Sequence, residues 1–258
     1  MSAALSLDNV GVDIGGRSLL RRIDFEAQSG ELVAIVGANG AGKTTLLRAI
    51  AGLHPSTGGI EVDGSSLVGL APRERARRIA LVTGDDALLE GTTVRDAVAA
   101  GRYAHHPWWD WHESRADEAA IDNALSDVEL DWAGARAMAS LSSGERQRAW
   151  IALALAQETP LLLLDEPTSH LDIRYAIEVL ELLRRVARRG QAVVVVLHAL
   201  EEVIEYADRV AVLGEGTTLA FGRPREILGT EILERAYQVK LEVISSEGAF
   251  FLRRKSAP

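Results

Sequence analysis

Cysteine is absent from the 258 residues, which removes disulfides, thiolate metal sites and cysteine nucleophiles together. No apolar run approaches the ~20 residues that a membrane-spanning helix requires. The opening "MSAALSLDNVGVDIGG" has no basic segment followed by an apolar core, so it does not read as a secretory signal. The chain is expected to be cytoplasmic, with any membrane role supplied by a partner. Low-complexity tracts and repeats at a solenoid period are also missing. So is an excess of positive charge: the formal net charge is −9, and no general affinity for nucleic acid is expected. Local basic runs occur in "PRERARR" (72–78), "RRVARR" (184–189) and "RRK" (253–255). The last two are read as solvated faces.

With 47% hydrophobic and 25% charged residues, the chain can bury a sizeable core, and one composite domain is expected. Leu5 to Gly30 alternates apolar and polar residues around Gly15-Gly16, as an antiparallel hairpin does. "ELVAIV" (31–36) leads through a glycine cluster into the helix-compatible "KTTLLRAIAGL", a strand, loop and helix unit. "GGIEVDG" (58–64) reads as an edge strand and "RIALVTG" (78–84) as a buried one. From about Thr92 to Gln157 the pattern is mostly helical, like an insertion. "LLLLDE" (161–166) and "AVVVVLHAL" (192–200) are continuous apolar runs, as in parallel strands covered on both faces. Between them Ile173, Ile177, Leu180, Leu183 and Ala187 define one apolar helix face, expected to be core.

Four short stretches carry chemistry. "GANGAGKT" (Gly37 to Thr44) fits G-x-x-x-x-G-K-[ST] after a strand and opening a helix. Its glycines let backbone N–H groups curl around phosphates, Lys43 reaches the β- and γ-phosphates, and the Thr44 hydroxyl can ligate Mg²⁺. The nucleotide-binding set is taken as Gly37, Ala38, Asn39, Gly40, Ala41, Gly42, Lys43, Thr44 and Thr45. "LLLLDEP" places Asp165 and Glu166 at the carboxyl end of a strand, where open α/β sheets bind ligands. There Asp165 can hold magnesium, and Glu166 can orient and deprotonate a water; alone, the pair could equally cap a strand. "LSSGERQR" (141–148) joins hydroxyls and free N–H groups at a helix start, so Ser142, Ser143 and Gly144 can bind an anion. By themselves these residues describe an ordinary serine N-cap with Glu145 in the first turn. His198 ends the "AVVVVL" strand near the same sheet edge, which points to a γ-phosphate contact rather than to the structural role usual for a lone histidine.

Taken in order, these stretches resemble the ATP-binding-cassette family along nearly the whole chain: Walker A (37–44), signature (141–145), Walker B (161–166), "SHLD" (169–172) and a switch histidine at His198. The resemblance implies an α/β P-loop NTPase with a RecA-like core, an antiparallel β-subdomain and an inserted helical subdomain. The expected division is 1–86 and 158–258 for the core with its β-subdomain, and 87–157 for the helical subdomain. It further implies ATP and Mg²⁺ as cofactors and a head-to-tail homodimer. In that dimer Lys43 of one subunit and Ser142 of the other grip the same ATP, with Glu166 as base, His198 on the γ-phosphate and Asp172 communicating across the interface. "GRYAHH", the "ERQRAWIALALAQETPLLLLDEPTSHLD" stretch and the "GRPREILGTEILERAY" tail look like the ATPases of type II importers for ferric siderophores, haem or cobalamin, the helix after "SHLD" favouring the siderophore branch. Such a subunit would sit on the cytoplasmic face of the membrane beneath two transmembrane permease subunits, with an extracytoplasmic solute-binding protein outside. The competing expectations are a soluble ABC ATPase in iron–sulfur assembly and a P-loop kinase; the signature and "SHLD" speak against the kinase.

Five positions depart from the family pattern. Ile14 stands where an aromatic usually stacks on adenine. Ser143 and Glu145 replace the signature's second glycine and its glutamine. Ala199 replaces the aspartate that often follows the histidine. Gly84 replaces the glutamine that senses Mg²⁺ and the membrane partner, and Asp85 or Asp86 is expected to supply the missing oxygen.

Overall fold

The computed structural model describes residues 3–83, 91–107, 114–246 and 249–254. The chain opens with an antiparallel hairpin, β1 (Leu5–Ile14) and β2 (Arg17–Ala27), turning at Gly15-Gly16. β3 (Leu32–Val36) and α1 (Lys43–Ile50) flank the glycine loop. Next come β4 (Thr57–Val62), β5 (Ser65–Ser66), α2 (Pro72–Ala76) and β6 (Ile79–Val82). A helical stretch holds α3 (Val94–Ala99), α4 (Arg115–Asp127) and α5 (Ser143–Ala156), with 3₁₀ turns at Ala100–His105, Asp131–Ala133 and Met138–Ser140. The core then resumes with β7 (Leu161–Asp165), α6 (Ile173–Arg188), β8 (Ala192–Val196), α7 (Leu200–Tyr206), β9 (Arg209–Gly214) and β10 (Thr217–Gly222). α8 (Pro224–Ile227), α9 (Thr230–Tyr237) and the hairpin β11 (Leu241–Ser246) and β12 (Ala249–Arg254) follow.

Among the described residues ten strands form one sheet, ordered β5-β4-β1-β2-β10-β9-β3-β8-β7-β6. The half from β9 to β6 is parallel and the half from β5 to β2 antiparallel. Burial explains the parallel half. All five β3 residues are sealed from solvent, with Leu32, Ala34 and Val36 in one apolar cluster and Val33 and Ile35 in the other. A strand with two covered faces has no polar side to show, so it reads as an unbroken apolar run. Each buried valine, leucine or isoleucine of the strand contributes about 1.5–3 kcal/mol of transfer free energy. "GGIEVDG" lies one place inside the sheet, because the two-residue β5 pairs outside it.

The apolar face proposed for α6 is displaced. Ile173 and Ile177 are exposed, at 81% and 42%, while Ala176, Val179, Leu180, Leu183, Val186 and Ala187 are buried. The buried stripe is rotated toward the valines because the helix packs on β8 and α7 along that side. The α-helices described in the inserted stretch, α3, α4 and α5, each start with a reciprocal cap: Thr93 with Asp96, Ser114 with Asp117, and Ser142 with Glu145.

A buried ionic cluster, unforeseen in the sequence, fastens that stretch. Arg102 Nε donates to Asp117 at 2.8 Å and its Nη1 to Glu158 at 2.7 Å and to the Ala156 carbonyl at 2.7 Å. His106 Nε2 lies 2.9 Å from the second Asp117 oxygen. The basic run at 72–78 is likewise tied down: Arg75 donates to the Leu67 carbonyl, Arg77 to that of Ala104, and Arg73 lies over the Tyr103 ring.

Candidate active site

Parallel pairing brings the ends of three strands to one edge. Asp165 is opposite Val196, and Val196 is opposite Ile35. The chain leaves these positions into the glycine loop, into Glu166 and into His198. Gly37 has φ +152° and a Cβ there would stand 2.4 Å from the Leu213 carbonyl oxygen, so the loop can leave β3 only through a glycine. Gly42 closes the loop at φ +90°, with Leu20 against it, and caps α1 without a side-chain bond. The first N–H groups of α1 therefore remain available to an anion.

Lys43 is 5% exposed, and its ammonium donates to the carbonyls of Gly37 at 2.9 Å and Ala38 at 3.1 Å. Burial pushes its pKa down, an effect opposed by the charges of Glu166 and Asp165. Burial also raises the Asp165 carboxyl, against the hydrogen bond from the Thr44 hydroxyl. Asp165 Oδ1 is buried with no hydrogen-bond partner. Glu166 sits at φ +52°, a left-handed conformation costing a non-glycine residue about 1–2 kcal/mol. Its oxygens meet His198 Nε2 at 2.6 Å and the Ser169 hydroxyl at 3.2 Å. Although burial alone would raise its pKa, the His198 hydrogen bond and charge and the Ser169 bond outweigh it and hold the carboxyl low.

A cavity of about 390 Å³ opens among these groups, lined by Thr44, Arg48, Asp165, Glu166, Ser169 and His170. Ser143 and Gln147 of α5 line it too, whereas Ser142 does not. Ser142 is exposed, and its hydroxyl is 2.7 Å from Glu145 Oε2 while its N–H donates to the same oxygen at 2.8 Å. Within one subunit, then, the Ser142 hydroxyl is used as a helix cap. Gly144 is buried where a Cβ would meet the Tyr175 ring at 2.9 Å, so glycine permits α5 to approach α6. Asp172 caps α6, accepting from the N–H groups of Arg174 and Tyr175. Ala38 to Ala41 form the outer turn of the glycine loop, and Thr45 follows Thr44 on α1. Ile14 is 39% exposed at the end of β1, and Ala199 precedes α7. Gly84, Asp85 and Asp86 lie outside the described residues.

Sequence reasoning missed Arg48, Gln147 and Glu202. The first two were legible as i+4 neighbours of Thr44 and Ser143, which share a helix face with them. Glu202 accepts from Thr168 at 3.3 Å and is raised by burial beside His198, a contact between α7 and the segment after Glu166 that has no local signature.

A cradle of loop N–H groups, a buried lysine and two carboxylates at the ends of parallel strands define a P-loop nucleotide hydrolase. The chain belongs to the ABC transporter family, whose model matches residues 20–169. It is an ATP-binding protein that hydrolyses ATP. The haemin import ATP-binding protein HmuV of Nocardia farcinica is 44% identical, over 88% of this chain and 78% of its own. The ferric enterobactin transport ATP-binding protein FepC of Escherichia coli is 38% identical, over 94% and 90% respectively. In structure, the chain is similar to an inward-facing metal-chelate type ABC transporter, at TM-score 0.82 and 30% identity, with 97% of this chain and 96% of that one covered.

Proposed function

We propose that this chain is the motor of an importer for an iron-containing complex, a ferric siderophore or haem, working as a homodimer on the cytoplasmic face of the membrane beneath two permease subunits. A solute-binding protein on the other side would deliver the cargo. The observation carrying this is the similarity, over 88% or more of this chain, to relatives whose names divide between haemin and siderophore import. Among the described residues no helix is long and apolar enough to cross a membrane; in this reading the permease subunits supply the cargo path.

In the proposed chemistry the Gly37–Thr45 loop and α1 hold the phosphates. The cation site fits magnesium: a hydroxyl from Thr44 and a buried, partnerless oxygen on Asp165 are hard ligands, and Mg²⁺ takes one or two protein oxygens and completes its shell with phosphates and water. Held there, the cation would neutralise charge on the transferring phosphoryl group. Glu166 orients and deprotonates water once His198 has exchanged its 2.6 Å contact with the carboxylate for one with the γ-phosphate. Ser142, Ser143 and Gly144 reach the nucleotide of the opposite subunit, and Asp172 lies beside that interface. Residues 87–157 act as the helical unit that carries this loop.

The test is isolation from membranes followed by transport. The chain should co-purify with a polytopic protein, and reconstituted vesicles should take up either labelled haem or a ferric siderophore only with ATP inside the motor's compartment. Recovery of the chain alone, with no uptake of either cargo, would refute the importer assignment while leaving the ATPase untouched.

A further inference from the structure

Gln147 stands in an unusual position for a surface glutamine. It is the fifth residue of α5, one turn beyond Ser143, and the two line the same cavity as Thr44 and Asp165. The arginines on either side are committed to their own layer: Arg146 donates to the Leu141 carbonyl at 3.0 Å and Arg148 to that of Val128 at 3.2 Å. The Gln147 carboxamide is half-buried, and among the described residues it makes no hydrogen bond. Asp165 lines the same cavity, and its Oδ1 is buried and equally without a partner. A half-buried amide and a buried carboxylate oxygen bordering one polar space, neither satisfied, call for a third group between them.

We propose that Gln147 completes the cation site of its own subunit, its carboxamide oxygen facing the hydrated magnesium that Thr44 and Asp165 hold. This rests on the ATPase assignment and adds a ligand-side residue to it. An amide oxygen is a neutral, hard acceptor. It therefore binds the cation or its waters without adding charge beside Asp165 and Glu166, where a third carboxylate would raise the repulsion already present. The consequence is mechanical as well as chemical. Gln147 shares a 14-residue helix with the cap at Ser142, so a contact from Gln147 to a bound cation would be linked through that helix to the loop proposed to grip the opposite subunit's nucleotide. The position vacated by Gly84 in the sequence need not be filled from its own loop.

The test compares the intact protein with Gln147→Leu and Gln147→Glu. Leucine keeps helix propensity and removes the carboxamide; glutamate restores an oxygen. The readout is equilibrium binding of a fluorescent, non-hydrolysable ATP analogue titrated with Mn²⁺, and separately in EDTA. We expect Gln147→Leu to raise the Mn²⁺ concentration for half-maximal binding about tenfold, with binding in EDTA unchanged and with Gln147→Glu, which keeps an oxygen but adds charge, between the parent and the leucine variant. A leucine variant with the parent's Mn²⁺ requirement overturns the proposal, as does one weakened equally in EDTA, which marks a merely structural residue. If the parent itself shows no binding of the analogue in Mn²⁺, the nucleotide site assignment fails and the proposal with it.

Discussion

The two halves of the candidate site are built differently. The glycine loop, Lys43, Asp165 and Glu166 are fixed by strand ends and burial, and every one of them is engaged with another group of the same edge except Asp165 Oδ1. The Ser142 loop lies at the start of a helix, exposed, with its hydroxyl and N–H satisfied by Glu145. A preorganised half costs little to use, since its groups already point at a common space. The other half must exchange an internal cap for an external ligand, which suits a surface that forms only when a second subunit arrives.

The largest expected effect breaks the first half. Glu166→Gln should lower ATP turnover about 10²- to 10⁴-fold, the usual contribution of a positioned base, while still binding nucleotide; steady-state hydrolysis alongside analogue binding checks it. Unchanged turnover would remove Glu166 from that role.

Next is the anchorage of the helical layer. Asp117 is 2% exposed, and although burial alone would raise its pKa, the bonds from Ser114 and Arg102 hold the carboxyl well below the usual carboxylate range. A depressed folded-state pKa adds stability that is fully present above the unfolded-state value, about 4, and is lost as pH falls. Asp117→Asn should therefore lower stability by about 3 kcal/mol at neutral pH, and the Tm gap to the parent should narrow as the solution is acidified below pH about 4. A gap independent of pH in thermal melts would show that the cluster stabilises through packing rather than charge.

Lys43→Ala removes charge-assisted hydrogen bonds to the phosphates, each about 1.5–3 kcal/mol, and should weaken nucleotide binding about 10- to 100-fold. Equilibrium titration with the analogue measures it. The smallest effect sharpens the contrast: Ser142→Ala should cost about 1 kcal/mol of stability as a lost cap and leave binding to the isolated subunit as it was. Mixed with Lys43→Ala chains, however, it should regain hydrolysis, because each heterodimer then holds one intact composite site. No recovery across a range of mixing ratios would count against the two-subunit site.

Much of this was legible because the local signals are strong. Gly37, Gly40 and Gly42 all adopt positive φ, which is why that loop carries glycines at those spacings. The strands Leu32–Val36, Leu161–Asp165 and Ala192–Val196 are buried on both faces, which is why they read as apolar runs. The face of α6 was misplaced because Ile173 and Ile177 fit a helical spacing as well as Val179 and Val186 do, and spacing alone cannot tell which side meets the sheet.

The sequence by itself determined the phosphate loop, the carboxylate pair, the histidine at a strand end and the family to which they belong, since each is a contiguous stretch whose chemistry follows from residue type and spacing. Only the tertiary structure decided that Glu166 and His198 touch, that Arg102 and Asp117 are sealed together, and that Gln147 shares a cavity with Asp165. The long-range contacts among these join residues 15 to 32 positions apart on separate elements, or face a cavity built by several. They depend on how strands pair and helices dock, which the local pattern of a chain does not encode.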